Sequence, residues 1–121
     1  MSAPYTLWFN PRCSKCRRAL ELLQEKGIEP QLRRYLDDPP SPAELEALLA
    51  RLPEPHAALR ASEPECRDLG LSERTPRAEL VKALAAHPAL IERPILVRGD
   101  RAVVARPPER VLELVVPSAK A

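Results

Sequence analysis

Tyr5-Thr6-Leu7-Trp8-Phe9-Asn10-Pro11-Arg12-Cys13-Ser14-Lys15-Cys16-Arg17-Arg18-Ala19-Leu20-Glu21-Leu22-Leu23 changes its pattern at Asn10-Pro11. Before that pair stands a short apolar run rich in β-formers, and after it Ala19, Leu20, Leu22 and Leu23 fall at helical spacing. The first cysteine therefore lands at a helix N-terminus. Unpaired backbone N–H groups and the positive end of the helix dipole stabilise an anion there, and Arg12, Lys15, Arg17 and Arg18 add favourable charge nearby. A thiolate is the reactive form of cysteine, so the stretch points to redox or nucleophilic chemistry.

Working outward, the spacing predicts a helix over residues 14–26, stopped by Gly27, and a strand over residues 31–35. That is a β-α-β unit. Ser41-Pro42-Ala43-Glu44 is a capping box, with serine at the N-cap, proline at N1 and glutamate at N3, and it opens a helix with Leu45, Leu48, Leu49 and Leu52 as its apolar stripe. Pro53 and Pro55 end that helix, and a short helical stretch is expected over residues 56–60. Thr75-Pro76 opens another helix with Leu80, Val81 and Leu84 on one face and Pro88 as its stop.

Ile95-Leu96-Val97-Arg98 and Arg101-Ala102-Val103-Val104 flank Gly99-Asp100, the two-residue linkage of a β-hairpin. Pro107-Pro108 then precedes a last amphipathic helix carrying Val111, Leu112, Leu114 and Val115. The order βαβ…ββα, with a helical insertion over about residues 41–88, resembles the thioredoxin-like arrangement of α/β proteins. We expect residues 1–121 to form a single domain of that kind.

Composition narrows the function class. Charged residues are 30% of the chain but their signs alternate, and the formal net charge is only +2, so there is no electrostatic footprint for nucleic acid or a membrane surface. A small soluble partner is expected. Three cysteines, two of them three residues apart, do not form a secreted disulfide framework. Met1-Ser2-Ala3-Pro4 opens no basic and apolar leader, and no apolar run is long enough for a bilayer, so a cytoplasmic protein is expected.

Cys13-Ser14-Lys15-Cys16 admits three readings: a redox pair, half of a zinc site, or two structural thiols. Beside a β-α-β pattern the redox reading is favoured. A zinc site needs a second ligand pair, and His56 with Cys66 is wrongly spaced for one, so no metal is expected. Cys66 reads as a small core hydrophobe, with a resolving thiol as its other reading. His87, before Pro88, reads as a helix C-terminal residue, and His56 has no evident partner. Arg93-Pro94 stands just ahead of the third strand, where thioredoxin-like proteins carry a cis proline facing the cysteine.

Asn10-Pro11-Arg12-Cys13, Tyr35-Leu36 with Pro39-Pro40, Leu59-Arg60, Leu69-Gly70-Leu71, His87-Pro88 with Ile91-Glu92-Arg93-Pro94-Ile95, and Ala105-Arg106-Pro107-Pro108-Glu109 together resemble the glutaredoxin-coupled arsenate reductase family. The match runs in order over about residues 5–114. The resemblance implies that Cys13 attacks arsenate while Arg60, Arg93 and Arg106 hold the oxyanion, with Asn10 and Pro94 supporting the site. It implies no bound cofactor, glutathione as co-substrate and glutaredoxin as protein partner. A tetrahedral oxyanion suits several guanidinium donors, which also favour a thiolate.

Two departures from the family stand out. Phe9 occupies the position ahead of the asparagine where members often carry histidine, and Cys16 follows the nucleophile where many have no cysteine. The second feature keeps two other readings in view: a redox-sensing transcriptional regulator of the same fold (Spx type), and a general thiol-disulfide reductase. Arg106 separates the enzyme from the regulator, because the regulators do not keep that arginine.

Overall fold

The computed structural model describes residues 4–115. Its elements are β1 (Tyr5–Trp8), α1 (Ser14–Glu25), β2 (Gln31–Arg33), α2 (Pro42–Arg51), a 3₁₀ turn (Pro55–Ala58), α3 (Pro64–Asp68), α4 (Arg77–Ala86), a 3₁₀ turn (Pro88–Leu90), β3 (Ile95–Arg98), β4 (Arg101–Val104) and a closing 3₁₀ helix (Pro108–Leu114). The sheet order is β2-β1-β3-β4. β1 runs parallel to β2, which requires the α1 crossover, while β3 is antiparallel to both β1 and β4. This is the thioredoxin-like α/β fold.

The period of two along each strand divides the core. Leu7, Leu96 and Val103 face one way and pack with Ala19, Leu23 and Val111 beneath α1. Trp8, Ile95, Val97 and Val104 face the other way and pack with Leu45, Leu49, Leu80 and Leu84 of the inserted helices. Each buried leucine contributes about 1.5–3 kcal/mol, so the sheet is clamped from both sides. Gly99 has φ +59° in the hairpin turn, a backbone conformation that suits glycine.

Several boundaries differ from the sequence expectation, each for a physical reason. α1 ends at Glu25, and Gly27 takes φ +78° just beyond it. β2 stops at Arg33 because its carbonyl accepts both the Phe9 N–H at 2.9 Å and the Tyr35 N–H at 3.0 Å, which turns the chain out of the ladder. The helical stretch expected over residues 56–60 is the 3₁₀ turn Pro55–Ala58, and α3 was not anticipated.

The last helix is 3₁₀ rather than α. With three residues per turn, Pro108, Val111 and Leu114 share one buried edge, whereas Leu112 turns outward and is 36% exposed. Among the described residues, no helix is long and apolar enough to cross a membrane.

Candidate active site

The site begins where β1 hands over to α1. Asn10 shapes that loop: its side-chain oxygen accepts the Arg12 N–H at 3.0 Å and its carbonyl accepts the Cys13 N–H at 2.9 Å. The Arg17 guanidinium closes the loop from outside by donating to the Pro11 carbonyl at 2.8 Å. Cys13 is thereby fixed as the N-cap of α1, with extended backbone (φ −93°, ψ 119°) and a half-buried side chain.

Its sulfur completes no cap hydrogen bond, but it faces the N–H groups that the helix start leaves unpaired. Partial burial pushes the Cys13 thiol up. The backbone N–H of Cys16, the Cys16 thiol, the backbone N–H of Lys15 and the Arg93 guanidinium outweigh that and hold it below its ordinary value. The helpful cation is thus Arg93, from the other side of the site. The basic residues of the helix itself are engaged elsewhere or exposed: Arg18 pairs with Glu21 at 3.2 Å and Glu25 at 3.6 Å, and Arg12 and Lys15 face solvent.

Cys16 is fully buried under Cys13. Burial pushes its thiol up to about 12 despite the Asn10 backbone, and the neighbouring Cys13 charge works in the same direction as burial. The two thiols of one motif are driven apart, one toward thiolate and one firmly protonated.

Cys66 lies in the other core layer and donates its S–H to the Arg60 carbonyl at 3.3 Å, so it serves packing and the Arg60 turn. His56, for which the sequence offered no partner, bonds the Thr75 carbonyl through Nε2. His87 caps α4 and places Nδ1 3.3 Å from Glu65. Among the described residues, no three His, Cys, Asp or Glu side chains gather as a metal site.

The arginines are brought in by long-range backbone pairing. Arg60 N–H donates to the Leu90 carbonyl at 2.7 Å and Glu92 N–H to the Ala58 carbonyl at 2.7 Å, which ties the Arg60 turn beside Arg93. The Ala105 N–H donates to the Pro94 carbonyl at 2.8 Å, and the Arg106 guanidinium donates to the Arg93 carbonyl at 3.2 Å. Both Arg93-Pro94 and Arg106-Pro107 are cis peptides. Arg93 carries Nε and Nη1 buried without a hydrogen-bond partner among the described residues. Buried guanidinium N–H groups ordinarily find acceptors, so these two nitrogens are left open to one.

In the sequence Tyr35 stands out only as part of the Tyr35-Leu36 motif. Tyr35 is 1% exposed and stacks on Trp8 with ring centroids 6.3 Å apart. Trp8 is covered in turn by Arg33, whose guanidinium lies 5.5 Å above the ring and pairs with Glu44 at 2.8 Å. This stack fixes the Tyr35 ring. Burial raises its hydroxyl above the ordinary range, against the pull of Arg93 and Arg60 and with the push of both Cys16 and Cys13. It stays a neutral donor. Phe9, in contrast, is buried beneath α1 and offers no proton-transferring group.

Fold and site together define a thioredoxin-like thiol protein whose helix-capping cysteine is influenced by an arginine with two side-chain nitrogens unpartnered among the described residues. The chain belongs to the ArsC family, whose model matches residues 8–114. It is 45% identical to an uncharacterised protein in the glnII region of Streptomyces viridochromogenes, over 87% of this chain and 93% of that one. It is 40% identical to the arsenate reductase of Haemophilus influenzae, over 89% of this chain and 96% of that one. The structure of an arsenate reductase from Vibrio cholerae superposes with a TM-score of 0.86 at 40% identity, covering 95% of this chain and 100% of that one.

Proposed function

We propose that the protein reduces arsenate to arsenite through an adduct at Cys13. The observation that carries this reading is Cys13 at the N-cap of α1, within the influence of Arg93, whose Nε and Nη1 are buried and unpartnered among the described residues. A nucleophilic thiolate and a fixed donor for a tetrahedral oxyanion meet at one place. Arg60 and Arg106 join Arg93 as the oxyanion-binding set. The similarity to arsenate reductases at 40% identity supports arsenate as the oxyanion.

In the first step Cys13 Sγ bonds arsenic and an arsenate oxygen leaves as water. Glutathione supplies the second thiol: its sulfur bonds Cys13 Sγ as the sulfur–arsenic electron pair passes to arsenic. Arsenic(V) thus becomes arsenic(III), and two sulfurs are oxidised to one mixed disulfide. A second glutathione, delivered through glutaredoxin, returns Cys13 to the thiol and leaves with the disulfide. The arginines lower the barrier by holding oxygens whose charge rises as arsenic is reduced.

The place of Cys16 in the first turn of α1, directly after the Cys13 cap, supplies one variation, in which Cys16 resolves the adduct and the chain works as a dithiol reductase. The test is an arsenate-reduction assay with glutathione and glutaredoxin. Arsenite formation that disappears in Cys13→Ser supports the proposal. Reduction of small disulfides with no arsenite formed overturns it in favour of a general thiol-disulfide reductase.

A further inference from the structure

The three arginines of the site do not stand alike. Arg93 has buried nitrogens unpartnered among the described residues, and Arg106 leans on a main-chain carbonyl. Arg60 faces a carboxylate: its Nη1 lies 3.4 Å from Glu63 Oε2, with the two side chains only 28% and 35% exposed. The backbone fixes this proximity. Glu63 N–H donates to the Arg60 carbonyl at 3.1 Å, and the next residue, Pro64, opens α3, whose Cys66 N–H donates to the Glu63 carbonyl at 3.0 Å. Glu63 therefore cannot drift far from Arg60.

At 3.4 Å through one nitrogen, the contact is looser than the 2.7–2.9 Å of a charge-assisted hydrogen bond, and it leaves the guanidinium fork unclamped. We propose that Glu63 is a built-in counter-anion that competes with the incoming oxyanion for Arg60, holding down the affinity of the site for every tetrahedral oxyanion. The proposal rests on the oxyanion reading of the site and deepens it.

The physical argument is one of selectivity. Phosphate matches arsenate in shape and charge, so guanidinium donors bind both, yet only arsenic(V) takes up the electron pair of its bond to sulfur and is reduced. Discrimination lies in the chemical step. Ground-state affinity shared by both anions adds nothing to that step and lets the inert one fill the site. A carboxylate beside one arginine subtracts from this shared affinity without touching the donors at Arg93.

The experiment measures protection of Cys13 from iodoacetamide by inorganic phosphate, which needs no turnover. In Glu63→Gln the phosphate Kd should fall about twofold to fivefold, the range of a partly exposed ion pair. Glu63→Asp keeps the charge and should stay nearer wild type, and the arsenate KM should follow the phosphate Kd. An unchanged or higher phosphate Kd in Glu63→Gln, or an equal fall in Glu63→Asp, overturns the proposal. Protection in wild type that is lost in Arg93→Ala upholds the oxyanion site independently of Glu63. Absence of protection in wild type at any phosphate concentration overturns both.

Discussion

Cys13 caps α1 with a half-buried side chain, whereas Cys16, in the first turn of the same helix, is fully buried, and this difference in surroundings separates the two cysteines in reactivity. Cys13, at the helix N-terminus and half-exposed, is held below its ordinary value, whereas burial pushes Cys16 up to about 12. Iodoacetamide should therefore label Cys13 first, with a rate that rises with pH to a midpoint below the free-thiol value of about 8.5. Cys16 and Cys66 should label only on unfolding. A Cys13 midpoint at or above the free-thiol value sinks the assignment of Cys13 as the nucleophile.

Arg93 should matter most among the three arginines, because its charge lowers the Cys13 thiol and its buried Nε and Nη1 find no acceptor among the described residues. Arg93→Ala should cost about 2–4 kcal/mol in kcat/KM for arsenate, in line with loss of one oxyanion donor. It should also raise the alkylation midpoint of Cys13, which Arg106→Ala should leave nearly in place. Arg60→Ala and Arg106→Ala should weaken turnover without abolishing it, while Cys13→Ser abolishes it. Full activity in Arg93→Ala removes the basis for an oxyanion site here.

Tyr35→Phe keeps the ring stacked on Trp8 and deletes only the hydroxyl, which lies within the electrostatic influence of Arg93, Arg60 and both thiols. The melting temperature should change by no more than a few degrees. If the hydroxyl donates to the bound oxyanion, kcat/KM should fall by about 1.5–3 kcal/mol, the usual value for a hydrogen bond to a charged partner. Unaltered kinetics confine Tyr35 to packing.

The parts of the fold visible in the sequence are those written in local chemistry. The capping box forms both of its bonds, Glu44 N–H to Ser41 Oγ at 3.1 Å and Ser41 N–H to Glu44 Oε1 at 2.9 Å, and the Gly99-Asp100 turn joins β3 to β4. Cys13 is legible for the same reason, since a change from strand to helix period marks the helix start. The closing 3₁₀ helix is not, because residues 108, 111 and 114 are spaced by three and fit either kind of helix. α3 is five residues long, too short for periodicity to register. The site as a whole is assembled by pairings between residues 58–60 and 90–92, and between residues 94 and 105, which no local pattern encodes. Its arginines were therefore visible only through resemblance, and Glu63 was not visible at all.

Glu44 gives a pH test of the α2 entrance. Its hydrogen bond from Arg33, helped by the Ser41 N–H, lowers its carboxyl from 4.5 to about 2. A carboxylate lowered on folding stabilises the fold above the unfolded value, and the contribution is lost as pH falls through the folded one. Glu44→Gln retains an N3 acceptor for the capping box but not the charge facing Arg33. In urea titrations the variant should be less stable at pH 7 by roughly 1 kcal/mol or less, since the pair is partly solvated, and should match wild type near pH 2. A difference that persists unchanged at pH 2 sinks the charge argument.

Cys16 decides how the adduct is resolved. It sits in the first turn after Cys13, a spacing that makes a disulfide between them geometrically accessible. Its chemistry opposes that route in the resting protein, because a thiol held near 12 supplies little thiolate for attack, whereas glutathione ionises normally. Formation of the arsenic adduct removes the Cys13 charge that helps hold Cys16 protonated, but burial, the larger cause, remains. Glutathione should therefore win. Cys16→Ser should turn over arsenate at close to the wild-type rate, and mass spectrometry after a single turnover should find glutathione on Cys13 in both proteins. A Cys13–Cys16 disulfide with no glutathione adduct, in the presence of excess glutathione, reverses the order and makes Cys16 the resolving thiol.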